Sequence, residues 1–323
     1  MRVFVLCPTG SEQEGLEQLV WVGRGLGFDV SLARVWEDSF QSTPLVSGTF
    51  SLRSPVDAPD CVVVARETDV ARLLEYQLAR RVIWWSDVDR FARSNEALRQ
   101  LFNRPQGPLE FAFDGRLPVV HWARSEYARS YLHKRGASAT LLGGYLEPTL
   151  LADAKRLRAH ERSDLVLVDT RHGGGDLIRQ IQARMPRKAQ WIALDHLSDE
   201  DLPMLFARAK AYLDFGPQRD FSPILATAVV SGAVALVGTR GIAGNDADLP
   251  LPADYKFDER AELVVESATA QLMRVLDQHA EHQRAQLAFC EWVEARQVAF
   301  VDQVFTCLGS LEAAIEHAQR VAV

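Results

Sequence analysis

The chain has 323 residues, 47% of them hydrophobic and 24% charged. That balance excludes disordered, collagen-like and coiled-coil architectures and leaves room for two domains or one large α/β domain. Its 36 lysines and arginines face 43 aspartates and glutamates, for a net charge of −7; such a surface argues against bulk binding to nucleic acid or anionic membrane, although one local basic cleft would not show in that sum.

In chain order, short apolar runs alternate with amphipathic stretches, the rhythm of strand–helix repeats around a parallel sheet. Arg2 to Leu6 reads as a strand, followed by the turn Cys7-Pro8-Thr9-Gly10 and a helix from about Glu12 to Leu26. Phe28 to Val35 returns as a strand. Cys61 to Val64 and Val82 to Trp85 are strands, with a helix around Val70 to Leu78 between them. Leu117 to His121 is another strand, Ala123 to Lys134 a helix and Ala139 to Leu142 a strand. Glu147 to Arg162 reads as a polar, basic boundary without strand character.

Past that boundary the rhythm restarts. Asp164 to Val168 is a strand, His172 to Gly175 a glycine loop and Leu177 to Met185 a helix. Gln190 to Ala193 is a strand, Ser198 to Arg208 a helix capped by Ser198, and Ala211 to Leu213 a strand. Phe221 to Thr239 carries no charge and nearly reaches the ~20 residues of a membrane span. Ser222-Pro223 starts a helix and Ser231-Gly232 stops it, so a buried helix followed by a buried strand, Ala233 to Val237, explains the run without a membrane. From Asp258 onward the pattern is helical, ending in a long amphipathic stretch, Ala261 to Gln319. The N-terminal apolar run is too short for a signal peptide, and a soluble, cytoplasmic protein is expected.

Candidate chemistry sits in loops that follow strands, because parallel sheets bind ligands beyond their C-terminal strand ends. Four such loops carry small or polar residues: Pro8 to Ser11 with Thr9 and Gly10, Asp169 to Gly175, Asp214 to Arg219, and Gly238 to Gly241. Glycines there let backbone N–H groups approach an anion, or simply end strands. None fits a Walker loop or the dinucleotide fingerprint, and there is no G-x-S-x-G elbow or H-E-x-x-H pair. His279 and His282 complete no ligand spacing and read as a solvated helix face. Cys7, Cys61, Cys290 and Cys307 stand far apart, which disfavours zinc or a disulfide framework and suits a reducing compartment. No metal or cofactor is expected.

Trp84 and Trp85 end a strand before Ser86-Asp87-Val88-Asp89. Successive side chains point to opposite faces, so one indole can be core while the other lines a cleft. Asp87 can act on a substrate hydroxyl or cap the following helix, and both readings stand. At the second cluster, Ser222 and Pro223 open a helix whose first N–H groups attract an anion. Arg219 lies three residues upstream and can grip two phosphate oxygens, with Arg171, His172, Gly173 and Gly174 approaching from the adjacent loop. Asp220 opposes phosphate there unless Arg219 neutralises it.

Several segments, in order, resemble bacterial GT-B glycosyltransferases related to the retaining family-four type: Pro8-Thr9-Gly10, Val62 to Thr68, Ile83 to Asp89, Ser125 to Ala128, Tyr212 to Gly216 and Leu249 to Phe257. The resemblance implies two Rossmann-like, doubly wound domains facing a cleft, over residues 1–150 and 160–290, with a helical segment, 291–323, packing back toward the first. It also implies a nucleotide-sugar donor in the second domain and a saccharide or glycoconjugate acceptor facing the first, in bacterial surface-polysaccharide assembly, with Asp87 and Trp85 on the acceptor or acid/base side. Two loops depart from the family pattern. Where relatives resemble H-P-G-K-D-R-x-P-R-E-A-A, this chain reads Pro217 to Ala228 without that lysine and glutamate, and where they resemble N-P-x-K-G it reads Asp169 to Gly173. The alternative is a GT-B-like scaffold or partner-binding protein with a degenerate donor site.

Overall fold

A computed structural model describes residues 1–7, 14–34, 53–115, 117–186, 188–195, 197 and 202–321. The described chain divides into two compact units, Met1–Gly144 with Ala299–Val323, and Tyr145–Val298. In the first unit, β1 (Arg2–Cys7), α1 (Glu14–Gly25), β2 (Asp29–Arg34), β3 (Cys61–Arg66), β4 (Arg80–Trp85), α2 (Val88–Leu101), β5 (Val119–Ala123), α3 (Glu126–Lys134) and β6 (Ala139–Leu141) follow one another. The strands form one parallel sheet in the order β2-β1-β3-β4-β5-β6. Every residue of β3 is buried, as expected for a central parallel strand covered on both faces.

Three local departures from the sequence reading have visible causes. The helix expected to reach Leu78 is a short 3-10 turn, Val70–Glu75. The Asp57 carboxylate accepts the N–H groups of Gln77, Leu78 and Ala79, each at 2.8 Å, and so draws them away from any continuing helix. Strand β5 begins after Pro118, whose missing N–H weakens a ladder. Helix α3 then starts at Glu126 rather than Ala123, because the Ser125 hydroxyl accepts the Ala128 N–H at 3.0 Å.

The second unit contains α4 (Pro148–Leu157), β7 (Ser163–Val168), α5 (Gly175–Arg184), β8 (Gln190–Ala193), α6 (Leu202–Arg208), β9 (Ala209–Asp214), α7 (Pro223–Val230), β10 (Val234–Gly238), β11 (Lys256–Phe257), α8 (Val264–Asp277) and α9 (His279–Ala285). Its parallel sheet runs β11-β10-β9-β7-β8. The boundary segment is helical: Glu147 accepts the Thr149 and Leu150 N–H groups at 3.0 and 3.2 Å, and Pro148 takes the first helical position. The uncharged run is α7 followed by β10, with Leu225, Ala226, Ala228, Val229, Val230 and all of β10 buried. The expected cap Ser198 lies outside the described residues, and α6 is described from Leu202.

The last helix, α10 (Leu287–Val321), is 35 residues long and is, by length and composition, apolar enough to cross a membrane. Phe300, Val304, Leu308, Leu311 and Ile315 form a buried stripe along it. Within the first unit, Gln303 Oε1 accepts the Gly143 N–H at 2.9 Å and Arg80 donates to the Ala314 carbonyl at 2.8 Å. His279 and His282 do not form an open solvated face. His279 Nε2 pairs with the Gly232 carbonyl at 3.1 Å and His282 Nδ1 with the Tyr255 hydroxyl at 2.7 Å.

Candidate functional site

From β7 the chain goes to β8 on one side of the sheet and returns to β9 on the other. This strand-order reversal opens a crevice between the loops that follow β7 and β9, where doubly wound sheets take ligands. Strand register decides which side chains meet there. Val168 pairs with Leu213, so Asp169 and Asp214 emerge side by side. Val237 pairs with Asp214 and Gly238 with Phe257, which brings the loops after β9, β10 and β11 into line.

The crevice holds a pocket of about 370 Å³, lined by Gly173, Gly174, Gly175, Asp176, Leu177, Arg179, Phe215, Arg240 and Glu259. Gly174 has φ +80° and caps α5. A Cβ there would lie 2.7 Å from the Phe215 carbonyl carbon, so the two loops touch backbone to backbone and only glycine fits. Ile178 makes the first intrahelical bond, to the Gly174 carbonyl. The N–H groups of Gly175, Asp176 and Leu177 therefore point outward without intrahelical partners, at the positive end of the helix. Arg240 adds a guanidinium, 44% exposed, which donates through Nε to Glu259 Oε1 at 2.8 Å and through Nη2 to the Phe215 carbonyl at 2.9 Å. Anions are attracted to such a combination.

At the C-terminal ends of β7 and β9 lies a carboxylate pair. Asp169 binds Arg171 through both oxygens, with Nε at 2.9 Å, and accepts the Tyr212 hydroxyl at 3.1 Å. Burial would raise the Asp169 pKa, but hydrogen bonds and charge from Arg171 hold it below the ordinary value. Asp214 accepts Gly216 N–H at 2.9 Å and Gln218 Nε2 at 2.6 Å. Burial, and then the charge of Asp169, push its pKa up to about 6. One carboxylate is thus held as an anion while its neighbour is pushed toward its neutral form near pH 6.

The sequence-derived candidates fall in different places. Gly173 and Gly174 line the pocket. Arg171 lies on the same loop but is folded back onto Asp169; His172 is exposed, its backbone 3.1 Å from where a Gly216 Cβ would sit. Ser222 caps α7, its hydroxyl accepting Leu225 N–H at 3.2 Å. The space beside Ser222, lined also by Asp220, Phe221 and Trp292, is only about 10 Å³, room for roughly one water. Of these two spaces among the described residues, the one at the start of α5 is the larger. Arg219 lies on the loop between β9 and α7. Thr9 and Gly10 lie outside the described residues.

In the first unit, Trp84 and Trp85 are both buried, at 1% and 0% exposure, so neither lines an opening. The expected split between core and cleft fails because helices and loops cover both faces of β4. Trp85 donates to His121 Nδ1 at 3.0 Å and stacks on Phe113, while Trp84 donates to the Leu142 carbonyl at 2.7 Å. Trp85 is thus enclosed among His121, Phe91 and Phe113. Asp87 caps α2 by accepting Arg90 N–H at 2.8 Å. Its own N–H goes to Glu67, which also accepts the Ser86 N–H and hydroxyl. Sequence reasoning missed Glu67, Glu259 and, as a pocket residue, Arg240; Asp214 lay in a loop it singled out, but its pairing with Asp169 was not foreseen. Arg240 lay in a loop already singled out; Glu259 follows β11 and carried no local signal.

Neither the family models nor the curated proteins contain a match to this chain. Solved structures do match. A sucrose-phosphate synthase of Thermosynechococcus elongatus is 11% identical with a TM-score of 0.64, covering 97% of this chain and 100% of its own. HepE of Anabaena, solved with UDP and glucose, is 13% identical with a TM-score of 0.67, covering 96% and 100%. WaaG, a glycosyltransferase involved in lipopolysaccharide biosynthesis, is 13% identical with a TM-score of 0.56, covering 94% and 99%. At such identities the likeness is one of fold: two parallel sheets flanked by helices, the α/β architecture of GT-B glycosyltransferases over nearly the whole chain.

Proposed function

We propose that the protein is a glycosyltransferase that moves a sugar from a nucleotide-diphosphate donor to a saccharide or glycoconjugate acceptor, in the assembly of bacterial surface polysaccharide. The observation that carries this reading is the pocket at the start of α5, where outward N–H groups and Arg240 meet in a space of about 370 Å³. The full-length likeness to structures solved with UDP and with UDP-glucose supports it. The diphosphate lies against the outward N–H groups of Gly175, Asp176 and Leu177, with Arg240 as its cation and Arg171, His172, Gly173, Gly174, Arg219 and Ser222 on the surrounding loops. This helix end and guanidinium supply the positive charge a metal would otherwise bring. Asp87 serves the acceptor side. The protein works in the cytoplasm, soluble or peripheral to the membrane.

One observation favours a second reading, a partner-binding protein with a degenerate donor site: the Arg171 guanidinium is engaged by Asp169. A thermal-shift panel of UDP, GDP, ADP, CMP and dTDP tests both. Ligand at 100 times its dissociation constant adds about 2.7 kcal/mol, a shift of roughly 5–10 °C for a unit of this size. No shift with any nucleotide rejects the enzyme reading. Transfer or hydrolysis of a nucleotide-sugar rejects the scaffold.

A further inference from the structure

An arginine side chain has rotamer freedom that an anion must remove on binding, unless the protein has removed it already. Arg240 is held at three points. Its carbonyl accepts the Gln218 N–H at 3.2 Å, beside the bridge between Gln218 and Gly241. Its Nη2 donates to the Phe215 carbonyl at 2.9 Å and its Nε to Glu259 Oε1 at 2.8 Å. The guanidinium thus uses two of its five N–H groups on protein partners. The others are left for a ligand in the pocket that Arg240 lines.

Of these holds, Glu259 is the one whose presence stability does not explain. Its side chain is 10% exposed, and Arg240 is the one hydrogen-bond donor to its carboxylate among the described residues. Burying a carboxylate for a single half-exposed partner returns little or nothing to stability. The end of β10 is nonetheless cleared for it: a Cβ on Gly238 would lie 2.1 Å from Glu259 Oε1 and 2.6 Å from its Cδ. Gly238 has an ordinary φ, so it is the space, not the backbone angle, that calls for glycine. A carboxylate beside an anion site also repels the anion, so its charge opposes binding while its hold on Arg240 favours it. We propose that Glu259 is a positioning residue, which fixes the Arg240 guanidinium in advance for the phosphoryl oxygens of the ligand and does not itself touch that ligand. The inference rests on the reading of this pocket as the donor site.

The test is calorimetric titration of the full chain with pyrophosphate and with UDP, comparing Glu259→Gln and Glu259→Ala. Both variants remove the same charge, but glutamine keeps an oxygen that can accept from Arg240 Nε and alanine does not. Alanine is therefore expected to bind both ligands roughly three- to tenfold more weakly than glutamine, the cost of ordering one long side chain on binding. In an Arg240→Ala background that gap should close, because nothing is left to position. A gap of the same size without Arg240 would mean that Glu259 supports the loops and not the guanidinium, and the proposal falls. It falls equally if alanine and glutamine bind alike with Arg240 present. Arg240→Lys gives a second reading that needs no change at Glu259. Lysine keeps the charge but replaces the fork by a single nitrogen on a flexible stem, so both ligands should bind it more weakly than the parent; parent-like affinity would overturn the role of the held fork. If the parent binds neither pyrophosphate nor UDP, the donor-site reading fails and takes this inference with it, a result distinct from binding that ignores these variants, which rejects the positioning role alone.

Discussion

Replacing Asp214 by asparagine should stabilise the protein more at neutral than at acid pH, against the usual expectation for removing a hydrogen-bonded carboxylate. Asp214 is 3% exposed, and burial together with the charge of Asp169 raises its pKa from 3.8 to about 6. A carboxyl with a higher folded than unfolded pKa contributes stability that is fully present below 3.8 and is lost as pH rises through about 6. At about 1.4 kcal/mol per pKa unit the whole loss is about 3 kcal/mol, of which about 2 kcal/mol falls between pH 4.5 and 7.5. Asparagine keeps the oxygen that accepts the Gly216 N–H, and Gln218 can turn its amide to accept from the new NH₂.

Other groups also bear on the profile, among them Asp169 and the histidines that burial lowers, His121, His279 and His282. Asp169 has a lowered pKa, so its contribution disappears only below the ordinary carboxylate range and is constant over this window. His279 is pushed down by burial to about 4, so it removes stability as pH falls from 6.5 toward 4 and partly masks Asp214 in the parent. The difference between Asp214→Asn and the parent isolates the carboxyl. Urea unfolding at pH 4.5, 6 and 7.5 should show that difference moving in the variant's favour by about 2 kcal/mol across the range. A difference that stays flat refutes the assignment of a raised pKa to Asp214.

Two further outcomes follow from backbone and cap geometry. Gly174→Ala combines a left-handed φ of +80° with a Cβ 2.7 Å from the Phe215 backbone, whereas Gly173→Ala has φ +109° and nothing within 4 Å. Strain alone costs about 1–2 kcal/mol and the clash adds a comparable amount; denaturant midpoints should rank Gly174→Ala clearly below Gly173→Ala, and equal midpoints would mean the loops separate freely. At α2, Asp87→Ala should cost about 1 kcal/mol and Asp87→Asn only a few tenths, because asparagine still caps Arg90 N–H. Unchanged sugar transfer in the stable Asp87→Asn protein would leave Asp87 with the cap alone.

The fold class was legible in the sequence because its signals are local. Runs such as Cys61 to Val64 and Ala233 to Val237 are too short and too apolar for anything but buried strands, and Ser222-Pro223 carries the start of α7 in two adjacent residues. The glycine loop after β7 was legible for the same reason, since Gly173 and Gly174 supply a left-handed turn that few other residues allow. What the sequence could not decide is set by register between distant strands. Asp169 and Asp214 become neighbours only because β7 pairs with β9, and Glu259 reaches the pocket only because Gly238 pairs with Phe257. The two tryptophans make the same point in the core. Alternation along β4 sends Trp84 and Trp85 to opposite faces, yet both are buried, because a central parallel strand is covered on each side by elements that lie elsewhere in the chain.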